Sequence, residues 1–273
     1  MLKQRVITAV IMVIVAGLAL WFLPPRFFNL FVAAILLVGA WEWSMLLKLE
    51  RLPRFAYLAG FAVLLGLMLT GNSPPMRILI GGSVLWWGAA LVLVICYPRG
   101  GHLWQNTPVL LLLSVLVLLP AMGALMTLRS LPDYVAYMLI FLALVAAADI
   151  GAFFSGKAFG KLKLAPRVSP NKTWEGFTGG LVSTLVVGMC ALSQFPRVHD
   201  IAPLSLVLAI CGIAGLAVFS VVGDLFESML KRYSGAKDSS WLLPGHGGVL
   251  DRLDSITAAL PVYVIILYLL ELL

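Results

Sequence analysis

Five of the chain's twelve acidic residues fall in one stretch: Asp224, Glu227, Asp238, Asp251 and Asp254. The stretch reads DLFESMLKRYSGAKDSSWLLPGHGGVLDRLD, and Lys231, Arg232, Lys237, Arg252 and His246 lie among the acids. Asp224 and Glu227 are three residues apart, as are Asp251 and Asp254, so each pair shares one face if its segment is helical. Paired carboxylates on two segments form a natural cage for a hard cation such as Mg²⁺, which takes oxygen ligands and shares them with substrate phosphates. Helix-end salt bridges would explain Asp254 or Glu227 singly; they explain poorly four acids converging on one loop. His246 sits in the Gly-rich turn PGHGG, where Gly245, Gly247 and Gly248 can turn backbone N–H groups toward an anion. Zinc is a poor fit, because three histidines and three cysteines scattered through apolar runs offer no ligand set.

Two further pieces belong to the same chemistry. Asp149 lies at the end of an apolar run, in AAADIGAFFSGKAFGK. An ionisable group there is costly unless it faces a polar cavity, and it is followed closely by glycines and by Lys157, Lys161 and Lys163. Next comes VSPNKTWEG, with Ser169, Asn171, Lys172 and Glu175 at the mouth of another apolar run. Alone, Lys172 reads equally well as an interface anchor. Glu42, between Trp41 and Trp43, is an outlying acid that could pair with another segment or touch a substrate.

The elements that must position these groups are apolar helices. The chain is 62% hydrophobic and 11% charged, against roughly 25% charged in soluble domains. Its apolar runs are long enough to cross a hydrocarbon core, which takes roughly 20 helical residues. This predicts an all-α polytopic transmembrane bundle in a single integral membrane domain. About nine spans are expected, near Val6–Leu23, Phe27–Leu47, Phe55–Leu69, Met76–Tyr97, Thr107–Leu128, Tyr134–Phe154, Phe177–Phe195, Leu204–Asp224 and Ser255–Leu272. The short alternating segments of a β-barrel are absent from the sequence. Residues 1–130 read as a helical membrane region, and 131–273 as a catalytic region with polar loops at about 155–176 and 226–254. Cys96, Cys190 and Cys211 read as small buried hydrophobes, and Pro120 and Pro261 as kink sites within spans.

With the N-terminus placed in the cytoplasm, fifteen of the nineteen Lys and Arg fall on inside segments, leaving Arg26, Arg77, Arg129 and Arg197 outside. That bias follows the positive-inside rule and turns both polar loops inward. The outside loops hold only Asp133 and Asp200 as acids. The net charge of +7 is thereby explained by topology rather than by a nucleic-acid partner.

Taken together, the pieces resemble the phosphatidate cytidylyltransferase (CDP-diglyceride synthetase) family. The resemblance is carried by Ser228, Lys231, Arg232, Lys237, Asp238, Pro244, His246, Gly247, Gly248, Asp251, Arg252 and Asp254, which match its pattern S-x-x-K-R, then K-D, then H-G-G-x-x-D-R-x-D. DIGAFFSGKAFGK and SPNKTWEG also resemble family blocks, although Asn171 stands where the family more often has a second basic residue. The resemblance implies condensation of CTP with phosphatidic acid to CDP-diacylglycerol and pyrophosphate, on the cytoplasmic side of a bacterial-type inner membrane, and a homodimer. It implies Mg²⁺ on Asp224 and Asp251, with Asp254 and Asp149 as further ligands or close neighbours, and leaves a second cation open. Lys172, Lys231, Arg232 and Lys237 would hold phosphates, with His246 beside them. Asp149, Ser169, Glu175, Ser228, Asp238, Gly247, Gly248 and Arg252 are the remaining expected substrate contacts. A CDP-alcohol phosphotransferase lacks support, since no D-G-x-x-A-R run occurs. A cation-coupled transporter is disfavoured by the loop-concentrated charges and by the lack of an internal repeat.

Overall fold

The computed structural model describes residues 2–71, 76–99, 101–194 and 202–270. In chain order the elements are α1 (Leu2–Phe22), α2 (Pro25–Leu46), α3 (Arg51–Leu69), α4 (Met76–Cys96), the single turn α5 (Gly101–Trp104), α6 (Thr107–Arg129) and α7 (Tyr134–Phe159). A small hairpin follows, β1 (Lys163–Ala165) and β2 (Ser169–Thr173), then α8 (Trp174–Ser193), α9 (Pro203–Ser234) and α10 (Leu250–Leu269). Among the described residues, nine helices are long and apolar enough to cross a membrane. A helix is the form such runs must take, because only a backbone that hydrogen-bonds to itself is tolerated in hydrocarbon. Arg197 and Asp200, and the far ends of two expected spans (Phe195 and Leu272), lie outside the described residues.

Local signals set the boundaries. Asn106 caps α6 by accepting the Val109 N–H at 3.0 Å, and Thr173 caps α8 by accepting the Gly176 N–H at 3.1 Å. Gly235, at φ 72°, closes α9 in the left-handed conformation. The three largest departures from the hydropathy reading are at charged ends. Helix α7 continues past Phe154 to Phe159, α9 continues past Asp224 to Ser234, and α10 begins at Leu250 rather than Ser255. Hydropathy ends where charge begins, but a helix does not. On α9 the polar groups Asp224, Glu227, Ser228 and Lys231 recur at i, i+3, i+4 and i+7, so they form one stripe on a continuing helix. The expected loop at 226–254 therefore shrinks to the residues between Gly235 and Val249, and the expected loop at 155–176 contains a β-hairpin.

Helices α6 and α10 run through the middle of the bundle; Leu118, Met122, Leu128, Leu260 and Val264 are fully enclosed. Pro120 and Pro261 are buried inside these two uninterrupted helices. By contrast α1 is peripheral, and only its Ala19 is buried among the described side chains. The expectation that the three cysteines are buried is corrected: Cys96, Cys190 and Cys211 are free thiols exposed on the outer, apolar surface of the helices. A bundle built for lipid places apolar residues outside as well as inside, so apolar context does not imply burial.

Candidate active site

Helices α7 and α8 are pressed together through small residues. A Cβ on Gly151 would come within 2.7 Å of the Gly179 carbonyl, and one on Gly179 within 2.9 Å of the Gly151 carbonyl. The glycines after Asp149 thus serve helix–helix contact, the usual use of small residues between membrane helices. The hairpin between the two helices is antiparallel, with Lys163 opposite Thr173 and Ala165 opposite Ser169. Its base is closed by Glu175, whose carboxylate accepts the Leu162 N–H at 3.2 Å on each oxygen. Arg232 reaches across from α9, and its Nε donates to the Val168 carbonyl at 3.2 Å. Glu175 and Arg232 brace the hairpin that carries Lys172.

This brace opens a cavity of about 500 Å³ lined by Asp149, Lys157, Ser169, Asn171, Lys172 and Asp224, with Phe153 and Phe177 as apolar wall. Lys172 Nζ pairs with Asp224 Oδ2, and Ser228 Oγ donates to Asp224 Oδ1 at 3.3 Å. Asp149 lies within electrostatic reach of Lys172, Asp224 and Arg252. The structure therefore brings together Asp149, Ser169, Lys172 and Asp224 from three elements, α7, β2 and α9. It adds Lys157 and Asn171, which the sequence reading had noted without assigning them to the site.

The second group of acids is closed. Asp251 accepts from Lys231 Nζ at 2.5 Å on Oδ1, and on Oδ2 from Ser239 N–H at 2.9 Å, Ser239 Oγ at 2.9 Å and Gly248 N–H at 2.8 Å. Lys231 also stands 3.3 Å from Glu227 Oε1. The Gly248 N–H, expected to face an anion, thus faces a carboxylate of the protein itself. Gly247 has φ 82°, and a Cβ there would fall 2.5 Å from Asp251 Oδ2, so this turn needs glycine for both conformation and space. The His246 N–H donates to the Leu243 carbonyl at 2.8 Å, which makes the histidine part of the turn. Lys237, Asp238 and Arg252 are exposed on the same loop and the start of α10.

The residue the sequence left undecided is the clamp of this loop. Glu42 of α2 is fully buried and accepts four hydrogen bonds: Ser239 Oγ at 3.1 Å, Ser240 Oγ at 2.6 Å, Val249 N–H at 2.9 Å and Leu250 N–H at 2.7 Å. The last two are free N–H groups of the first turn of α10, where an anion is favoured by the helix dipole as well. Other parts of the first half of the chain also shape the site. Phe226 of α9 packs against Trp43, Trp86 and Trp87 with ring centroids 6.3, 5.6 and 5.8 Å away. Thr8 of α1 donates to the Pro244 carbonyl at 2.9 Å.

The donor set suits a hard cation. All candidate ligands are carboxylate oxygens, and the Glu227 side chain is buried between Lys231 and Asp254. A lysine ammonium stands at Asp224 and another at Asp251, so each carboxylate already accommodates a positive charge. Asp254 is within electrostatic reach of Asp224 and Glu227. Among the described residues, no three His, Cys, Asp or Glu side chains form a ready-made metal cluster, so a cation here would complete its shell with substrate oxygens or water.

Residues 3–270 match the model of the cytidylyltransferase family. A phosphatidate cytidylyltransferase of Pseudomonas aeruginosa is 45% identical over 98% of this chain and 97% of its own length. One of Haemophilus influenzae is 41% identical over 96% and 97%. One of Bacillus subtilis is 42% identical over 49% of this chain and 48% of its own length, so the likeness there is confined to about half of each protein.

Proposed function

Since this chain belongs to the cytidylyltransferase family, we propose that it transfers the cytidylyl group of CTP to phosphatidic acid, yielding CDP-diacylglycerol and pyrophosphate. The observation that carries the reading is the cavity in which Asp149, Ser169, Lys172 and Asp224 meet beside apolar helix walls. A charged headgroup and a nucleotide phosphate fit its polar side, while acyl chains remain along the exposed Phe153 and Phe154.

In this reaction an oxygen of the lipid phosphate forms a bond to the α-phosphorus of CTP, and the bond to the β-phosphate oxygen breaks. The attacking phosphate monoester is already ionised near neutral pH, so the work of the site is to hold two polyanions in line and to stabilise the leaving group. Lys172 and Lys157 line the cavity as phosphate partners, Arg252 lies within electrostatic reach of Asp149, and Lys237 is exposed on the loop before α10. Lys231 offsets the charge of Glu227 and Asp251, and Arg232 keeps the hairpin in position. Bound Mg²⁺ would supply charge neutralisation on the phosphates and orient the leaving pyrophosphate. Asp224, Asp251 and Asp254 are the residues that would hold it; on Asp251 the oxygen shared only with Lys231 is the one available for exchange.

The charge bias of the sequence supports a cytoplasmic N-terminus and a site facing the cytoplasm from the inner membrane. The exposed Trp241 on the loop offers the check: with Cys96, Cys190 and Cys211 replaced by alanine, a Trp241→Cys protein should react with an impermeant thiol reagent only from the cytoplasmic side. The homodimer implied by the resemblance belongs to the same reading and is checked by the mass of the purified complex. The activity itself is tested with purified protein, labelled CTP, phosphatidic acid and Mg²⁺. CDP-diacylglycerol and pyrophosphate should form in equal amounts and only when all three are present; product formation without phosphatidic acid, or none with all three, contradicts the proposal.

A further inference from the structure

A second polar cavity lies at the other end of the bundle. Asp149 and Lys157 sit toward the end of α7 that faces the candidate active site, whereas Tyr134 begins that helix; Tyr134 and Asp149 are about 22 Å apart along the axis at 1.5 Å per residue. Around Tyr134 a cavity of about 480 Å³ is lined by Pro25, Asn29, Met126, Arg129, Ser130, Leu131, Pro132 and Tyr134. Arg129 is its cation, and it is only 8% exposed.

Arg129 is held in position but not neutralised. Its Nη2 donates to the Leu23 carbonyl at 2.9 Å, and its guanidinium lies 3.6 Å from the Tyr134 ring centroid and 5.7 Å from that of Phe28. The Nε proton has no acceptor, and no ion pair joins Arg129 to an acid among the described residues. A buried guanidinium without a counter-charge is costly, and a planar donor fork of this kind matches phosphate oxygens. In the same cavity Asn29 Oδ1 is buried without a donor. The missing partner must therefore supply an anion to Arg129 and a hydrogen-bond donor to Asn29. A phosphodiester bearing an amine or hydroxyl does both. Trp21, Phe22, Phe27 and Leu30, close in sequence to the lining residues Pro25 and Asn29, are exposed and apolar, which suits a ligand that carries acyl chains.

We propose that Arg129 and Asn29 form a phospholipid-headgroup site at the end of the bundle opposite the active site, with Tyr134 and Phe28 fixing the guanidinium. The site needs neither the catalytic residues nor the proposed reaction. The test titrates the purified protein in detergent with dioctanoyl-phosphatidylethanolamine and, separately, with inorganic phosphate, following the thermal midpoint. The wild type should be stabilised saturably by the lipid. Arg129→Gln should weaken that apparent affinity at least tenfold and Asn29→Ala about threefold, while Arg129→Lys should retain part of it. If Arg129→Gln does not fold, Asn29→Ala and Arg129→Lys decide the matter. Variants that titrate like the wild type overturn the site. Inorganic phosphate acting as strongly as the lipid, at equal concentration, overturns the lipid occupant and assigns the cavity to free phosphate.

Discussion

Asp224 and Asp251 stand on neighbouring helices at the same end of the bundle, in opposite surroundings. Asp224 keeps 33% of its side chain exposed, lines the cavity, and has one lysine and one long serine hydrogen bond. Asp251 is 6% exposed and accepts four hydrogen bonds, three of them on a single oxygen. Glu42 extends the second pattern, with four donors and no exposure. A carboxylate oxygen satisfied by backbone and hydroxyl donors fixes a loop, as Oδ2 of Asp251 does; an oxygen held only by a lysine, Oδ2 of Asp224 or Oδ1 of Asp251, can exchange that partner for a substrate or cation. The same residue type thus does two jobs, divided by how completely the fold satisfies it.

The sharpest way to break that division is at its open member. Asp224→Asn should lower turnover by about 10²- to 10³-fold, the scale of losing one electrostatic stabiliser, while the thermal midpoint barely moves. Glu42→Ala should act the other way. It strands two backbone N–H groups and the Ser240 hydroxyl in a buried place, while Ser239 keeps Asp251 as acceptor, and should cost about 3 kcal/mol or more of stability, read by denaturation in detergent. Lys172→Gln should lower kcat/KM for CTP by about 10- to 100-fold, the loss of one charged hydrogen bond, with the fold intact. The smallest effect is expected at the hinge between hairpin and α8: Thr173→Ala removes the cap on Gly176 and should cost about 1 kcal/mol. Equal stability losses for Glu42→Ala and Thr173→Ala would mean that the loop clamp contributes no more than an ordinary cap.

Much of the open half could be read from the sequence, because Asp149, Lys172 and Asp224 are polar groups at the ends of apolar runs, where charge is conspicuous. The closed half could not. The hydroxyl partners of Glu42 lie at Ser239 and Ser240, on a loop remote in sequence, and nothing local to Trp41-Glu42-Trp43 points there. An intramembrane acid was visible; that its partners would be the first N–H groups of α10 depended on packing. Hydropathy likewise placed the spans but cut α9 at Asp224, since it weighs charge and ignores whether a charged stripe has partners on a neighbouring helix. The hairpin was hidden because Lys163–Ala165 is too short and too polar to show alternation. Arg232 is expected at phosphate and Glu175 at substrate; the Leu162 N–H that Glu175 binds and the Val168 carbonyl that Arg232 binds show only in three dimensions.

The division of labour is tested most directly by measuring two quantities on two proteins side by side: CDP-diacylglycerol formation and thermal midpoint for Asp224→Asn and Glu42→Ala. The expected result is a crossed pattern, in which Asp224→Asn loses turnover at wild-type stability and Glu42→Ala loses stability first. Wild-type turnover in Asp224→Asn, or a fall in its midpoint as large as that of Glu42→Ala, would contradict it.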